Sequence, residues 1–505
     1  MIDKSPTCIL PPADKSVWAP PLDERDLIVR LEAAGITASV ARSQYGFRDV
    51  WSMAEAYLSR AQNHKSIEAS ETKKSSAIAD YLKGMAFAVP LVSCCLVVLL
   101  LKVSLWGGSL TANEAAAIAI ATIASFVVTG GFVQVIGRQG HFYKESQEWG
   151  LCARYCWLVV KAGFLALLAC AFGGFLANAY FRWLPLPLFG WCAAFYIGIG
   201  AYLLISAVLY VLDAELLLAL GTVLGSAIVV TLHLQLGIPL LISQSIGMTG
   251  AVGICVLLAR FQFRSLGGQT SEPVRLPPLG RLAYVLWPYF IYGCAYYLFL
   301  FADRIVAWSA RTQNSSLPLQ FRGGYETALD ICLFAFVLQV GWVHAGLARF
   351  YRMVITEQRR FHLSARHELR KAIFGFYRRQ VLVFLSLFVV STCAVLITIR
   401  EIPALQALLV FRVVLFALAG TPLLALGLWN IALLFALSRP WLVLAAMGWA
   451  VLLNACAGYL LSRLFSYDLA IIGFDIGALA LAGASTWFCR RLLSNFEYHY
   501  FAATV

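Results

Sequence analysis

Two ionisable side chains stand inside stretches that are otherwise apolar. Arg412 follows Val410 and Phe411, and Asp475 follows Ile471, Ile472, Gly473 and Phe474. A charge at the centre of a helix in hydrocarbon costs about 2.5–3.5 kcal/mol on insertion scales, so each must meet water or a partner. Two arrangements satisfy this: both line a solvated passage, or they neutralise one another. Asp303, Arg304 and Asp330 stand at the edges of neighbouring apolar stretches, as do Asp213 and Glu215. The first three are further candidates for the passage, with snorkelling to the membrane surface as the alternative for all such edge residues.

One apolar stretch is crowded with aromatic residues: Trp287, Tyr289, Phe290, Tyr292, Tyr296, Tyr297, Phe299 and Phe301. Rings stack on sugar faces and phenol hydroxyls bond sugar hydroxyls, which makes Trp287, Tyr292, Tyr296 and Tyr297 candidates for glycan stacking. Packing against lipid accounts for the same residues.

Other chemistry is missing from the chain. No GxxxxGK[ST] loop is present to cradle a nucleotide's phosphates. The 13 cysteines include no CxxC pair, and His362 and His367, five apart, do not share a helical face. Neither a metal site nor a cofactor is expected. The longest loop expected outside the cytoplasm, from Arg304 to Glu326, leaves little room for the acidic catalytic loops of a membrane glycosyltransferase. The chain is therefore not expected to be an enzyme.

The elements that must position these residues follow from composition. Of 505 residues, 61% are hydrophobic and 13% charged, and mean hydropathy is +0.77. A typical soluble protein carries about 25% charge. The apolar residues gather in blocks of roughly twenty, enough helix to cross a bilayer. These blocks predict an all-α polytopic membrane protein of about twelve transmembrane helices, at approximately 84–105, 112–136, 156–178, 186–211, 214–234, 238–260, 282–303, 327–348, 380–399, 407–437, 440–461 and 468–489.

The net charge of +13 would suggest nucleic acid in a soluble protein. Here the cations sit mostly in inter-helix loops of one parity, so no nucleic-acid partner is expected and the lipid bilayer is the partner the charge implies. The richest of these loops holds Arg349, Arg352, Arg359, Arg360, Arg366, Arg370, Lys371, Arg378 and Arg379. Loops rich in Lys and Arg stay in the cytoplasm, which predicts both termini there. The polar, Pro-punctuated first 80 residues are expected to remain on the mature protein.

A Gly- and Pro-rich linker, residues 261–281, divides the spans into lobes at 81–260 and 282–490, with a cytoplasmic tail at 491–505. Twelve helices halved in this way are the layout of transporters built from two bundles. Residues 1–80 form a separate cytosolic extension, with short helices expected at Asp23–Gly35 and Val50–Ser59.

The run from Trp287 through Phe299, Asp303, Arg304, Trp308 and Ser309, followed by Gly324, Tyr325, Glu326 and Asp330, resembles the PelG-like exopolysaccharide transporters. These belong to the multidrug/oligosaccharidyl-lipid/polysaccharide (MOP) flippase superfamily. Ser125, Thr129, Gly130, Gly131 and Gln134 are similar to that family's second span. The resemblance covers roughly residues 82–500 and gives the first 80 no counterpart.

It implies a MOP/MATE-like bundle of two six-helix lobes around a central passage, moving a glycan across the bacterial inner membrane. Its implied partners are a cytoplasmic glycosyltransferase and a cyclic-di-GMP-responsive membrane protein. It brings no catalytic residues. A carboxylate such as Asp475 could couple transport to an ion gradient, or a growing polymer could thread a passage held open. Alternatives are a flippase for a lipid-linked oligosaccharide, with Arg412 at the pyrophosphate, an integral-membrane glycan polymerase and a multidrug exporter.

Overall fold

The computed structural model describes residues 27–28, 31–32, 36–56, 77–86, 97, 101, 103–105, 107–108, 110–267, 276–310, 319–360, 366–402 and 406–496. The chain divides into two compact units, Met1–Ser76 and Ala77–Val505.

In the first unit α1 spans Ala38–Tyr45, capped by the Thr37 hydroxyl at its start and by Gly46 at φ +71° at its end. The left-handed backbone at that end suits glycine, which has no Cβ to clash. Helix α2, residues 50–56, opens on a reciprocal cap: Ser52 N–H donates to Asp49 Oδ1 at 2.8 Å and Asp49 N–H donates to Ser52 Oγ at 3.1 Å. The bonds from Ser52 hold the Asp49 carboxyl below its ordinary range. Leu27, Ile28, Leu31, Ile36, Ala41, Val50, Met53 and Ala54 close into a small core of their own. Of the helix expected at Asp23–Gly35, residues 27, 28, 31 and 32 are helical and the rest lie outside the described residues.

The second unit is a bundle. Helix α3 is Ala77–Ala86, followed by α4 Ala112–Glu145, α5 Trp149–Phe181, α6 Leu186–Val211, α7 Glu215–Val230 and α8 Leu240–Ser265. Then come α9 Leu279–Trp308, α10 Gly323–Arg360, α11 Arg366–Glu401, α12 Leu408–Ala436, α13 Pro440–Leu464 and α14 Ala470–Ser494. Eleven helices among the described residues are long and apolar enough to cross a membrane. The first expected span, 84–105, falls mostly outside the described residues.

The helices outrun the expected spans where charge follows the apolar block. Helix α10 continues to Arg360 and α11 begins at Arg366, so most of the arginine-rich loop is helix. Backbone hydrogen bonding carries on past the hydrocarbon, whereas hydropathy registers only the apolar part.

Two apolar cores hold the bundle together. One is built on α4 to α8, with Ile136, Tyr155, Leu204 and Val208 at its centre. The other is built on α9 to α14, around Phe299, Tyr325, Trp429 and Leu481. Among the described residues α4 packs on α9, which joins the two cores, and α3 packs on α10. At both crossings glycine faces glycine. A Cβ on Gly293 would stand 2.2 Å from Gly130 O, and one on Gly84 would stand 2.4 Å from Gly341 O. Small residues let membrane helices approach at backbone contact, where dispersion substitutes for the missing hydrophobic drive.

Candidate functional site

Side chains from the last turns of α9 and the first turn of α10 interlock. Arg304 and Trp308, four apart on α9, share a face and converge on Glu326 of α10. Arg304 Nη1 lies 2.5 Å from Glu326 Oε2, and Trp308 Nε1 donates to Glu326 Oε1 at 2.9 Å. One residue away on each helix, Tyr325 OH donates to Asp303 Oδ2 at 2.7 Å. Asp303 is buried to 1% exposure and Tyr325 completely. Asp330, one turn beyond Glu326, is exposed and within electrostatic reach of Arg304. The Arg304 guanidinium also lies over the Phe301 ring at 5.6 Å.

Behind this pair, α12 and α14 complete a cavity of about 80 Å³ bounded by Asp303, Arg304, Cys332, Thr421, Ile471 and Phe474. Asp475 follows Phe474 outside that lining and is within electrostatic range of Asp303 and Cys332. Its Oδ1 is buried without a hydrogen-bond partner. Gly420 makes room for it, because a Cβ there would lie 2.4 Å from that oxygen.

Arg412 has a different setting. It sits one turn inside α12 with its side chain 46% exposed, and the charge that meets it is Asp468, 3.5 Å away. Asp468 belongs to the short 3₁₀ turn Tyr467–Leu469 ahead of α14 and also accepts from the Ser466 hydroxyl.

Of the sequence candidates, the fold therefore gathers Asp303, Arg304 and Asp330 into one network, with Asp475 beside it, and places Arg412 in a separate pair. Tyr325, Glu326 and Trp308 belong to that network although sequence reasoning did not single them out as site residues. The spacing of four in both 304–308 and 326–330 was the available signal.

The aromatic candidates divide in the same way. Tyr292 is buried, stacks on Tyr296 at 6.1 Å between ring centroids and meets Phe435 edge-on at 5.0 Å. Tyr296 packs on Tyr297, which in turn meets Phe126 of α4 at 5.0 Å and lies against Gly130. Tyr297 also lies within electrostatic range of Tyr210 on α6. These three tyrosines thus line the junction of the lobes. Trp287 stands apart near the start of α9, edge-on to Trp441 at 4.8 Å and 40% exposed.

Neither a family model nor a curated protein sequence matches the chain. Solved structures do. A eukaryotic MATE transporter aligns over 86% of this chain and 98% of its own, with 13% identity and a TM-score of 0.59. A MOP superfamily transporter from Pyrococcus furiosus aligns over 85% and 99%, with 13% identity and a TM-score of 0.58. For a MATE transporter from Vibrio cholerae the figures are 85% and 100%, 14% and 0.56.

The fold is that of the MATE transporters. Within this MATE fold the polar chemistry is lopsided. Among the described residues, the buried polar side chains of α4 to α8 are uncharged: Ser125, Thr129, Asn178, Ser206, Thr222, Ser226, Ser243 and Gln244. Among the described residues, buried Asp80 belongs to α3, and the other buried acids, Asp303, Glu326 and Asp468, belong to the second lobe. By the order of the helices, they lie at the end of that lobe opposite the arginine-rich segment.

Proposed function

We propose that this protein is a membrane transporter that moves a glycan between its two lobes and across a bacterial inner membrane. The observation that carries the reading is the tyrosine group at the lobe junction. Tyr292, Tyr296 and Tyr297 offer rings and hydroxyls side by side where the two cores meet, and that pairing suits a sugar's apolar faces and hydroxyl edges. The MATE-like fold supports transport in general. The likeness of the Trp287–Asp330 run to PelG-like proteins supports an exopolysaccharide as cargo, with a cytoplasmic glycosyltransferase and a cyclic-di-GMP-responsive membrane protein as partners. On this reading both termini face the cytoplasm.

The network in the second lobe supplies a place for coupling. Arg304 is paired with Glu326, and the carboxyl of Asp303, on the small cavity, stands within electrostatic range of the carboxyl of Asp475. Taking up a proton or a sodium ion there relieves their repulsion, and an ion gradient would drive that step. The tyrosine group and the carboxyl pair then divide the work, one touching cargo and the other touching the ion.

A second reading has a specific observation behind it. The chain also shares its fold, at a TM-score of 0.55, with a multidrug resistance MATE transporter of the MOP superfamily, and rings at a lobe junction also suit amphipathic cations. Paired substitutions at Tyr296 and Tyr297 separate the two. The glycan reading expects Tyr→Phe at both positions to reduce glycan export in cells through lost hydroxyl contacts, and Tyr→Ala to abolish it, at unchanged protein abundance. Full glycan export by the double alanine variant, with loss of ethidium efflux instead, would establish drug export and overturn the glycan reading.

A further inference from the structure

A second recess lies at the other end of the second lobe, where α12 turns into α13 beside the last turns of α14. Its volume is about 540 Å³, and its lining combines Ser438, Arg439, Trp441, Leu442, Phe488, Arg491, Leu492 and Asn495. The turn is set by Ser438, whose backbone adopts φ +53°, after which Arg439 N–H donates back to Leu434 O at 2.9 Å. Pro440 then opens α13. This local geometry sets Arg439 on one side of the recess, while the last turn of α14 brings Arg491 and Asn495 to the other.

The lining is sorted by chemistry. Trp441, Leu442, Phe488 and Leu492 give apolar walls, two guanidiniums stand at the helix ends, and none of the described lining residues is a carboxylate. Its level along the bundle is marked by tryptophan. Trp441 and Trp487 are each 58% exposed, Trp287 is 40% exposed, and Arg491 lies over the Trp487 ring at 5.8 Å. Exposed tryptophans gather where a membrane meets water, and by helix order this is the end that carries the arginine-rich segment. A recess at that depth, apolar inside and cationic at its rim, matches a molecule with acyl chains and one negative headgroup.

We propose that this recess is a binding site for an anionic phospholipid. Arg439 and Arg491 hold its phosphate, Ser438 and Asn495 hydrogen-bond the headgroup, and the upper acyl carbons lie along Leu442, Phe488 and Leu492. Basic pockets between membrane helices recognise anionic lipids in this way. The site is distinct from the tyrosine junction and the carboxyl cavity, and it stands whether or not the cargo is a glycan.

Native mass spectrometry of the purified full-length protein, titrated with phosphatidylglycerol or phosphatidylcholine, tests it. The expected result is preferential retention of phosphatidylglycerol. Arg439→Gln and Arg491→Gln should each weaken that binding by about fivefold, the attraction of one basic residue to an anionic lipid. Phosphatidylcholine binding should not change. Arg379→Gln, at the same end of the bundle but outside the lining, should retain wild-type affinity, and inorganic phosphate should not compete. Equal binding of the two lipids by the wild type, undiminished phosphatidylglycerol binding in the double glutamine variant, or displacement by inorganic phosphate would each overturn the proposal. If the glutamine variants do not elute as monodisperse protein, Arg439→Lys with Arg491→Lys keeps the charges. The comparison of the two lipids on wild-type protein then decides.

Discussion

At the scale of the residue, the interaction between Arg304 and Glu326 is the one whose loss should be felt most. Glu326 is 7% exposed and receives both the guanidinium and the Trp308 indole. Removing one partner of a buried pair leaves the other charge stranded and typically costs about 3–5 kcal/mol. Thermal unfolding in detergent should therefore show Arg304→Gln and Glu326→Gln each strongly destabilised, with the double variant recovering much of the loss. Additive losses would mean that the two side chains act independently. Asp475 should behave differently, because its buried oxygen has no hydrogen-bond partner to lose. Asp475→Asn should keep or raise stability while abolishing transport driven by an ion gradient. A variant that transports normally would remove Asp475 from the coupling step.

At the scale of the element, the glycine crossings decide how closely the helices approach. An alanine at Gly293 would drive its methyl into the Gly130 backbone at 2.2 Å, which neither helix can yield without separating. Overpacking of this kind costs about 1–3 kcal/mol, so Gly293→Ala should lower the melting temperature and impair transport. Gly137, on the same α4 but with nothing within 4 Å of an added Cβ, serves as the control. Gly137→Ala should be neutral or slightly stabilising, since alanine is the better helix former. Equal effects at the two positions would show that the crossing is not a tight one. The α3–α10 crossing adds an ion pair between buried Asp80 and Arg352, together with a bond from Tyr81 OH to Leu338 O at 3.1 Å. It therefore holds α3 to α10 by charge as well as by close contact.

At the scale of the whole molecule, two outcomes follow from how the chain is partitioned. The first unit has its own core, formed from residues 27–54, and the bundle has its own. Deleting residues 1–76 should leave a protein that inserts and elutes as a monodisperse species on size exclusion in detergent. Aggregation of the truncated chain would show that the bundle needs the extension. Orientation is open to labelling: with arginines crowding the ends of α10 and α11, a cysteine at Thr356→Cys should be protected from a membrane-impermeant reagent added from the periplasm. Ser315→Cys should be modified. The reverse pattern would invert the topology.

Composition and block length were sufficient to specify a helical membrane bundle, because the cost of exposing backbone and charge to hydrocarbon depends on local sequence alone. The same penalty drew attention to Asp303, Arg304, Asp330 and Asp475, which the fold then set side by side. Partners were not legible in that way. Arg412 and Asp475 invited pairing as the two deepest charges, yet the chain supplies Asp468 to Arg412 and Gly420 to Asp475. Likewise, Tyr297 reads in sequence as one more aromatic on an apolar stretch, and only its contact with Phe126 and Gly130 across the lobes separates it from Trp287. Hydropathy states that a side chain must find company. Which company it finds is set by the rotation and crossing of helices far apart in sequence, and those are fixed by the small residues at which the helices touch.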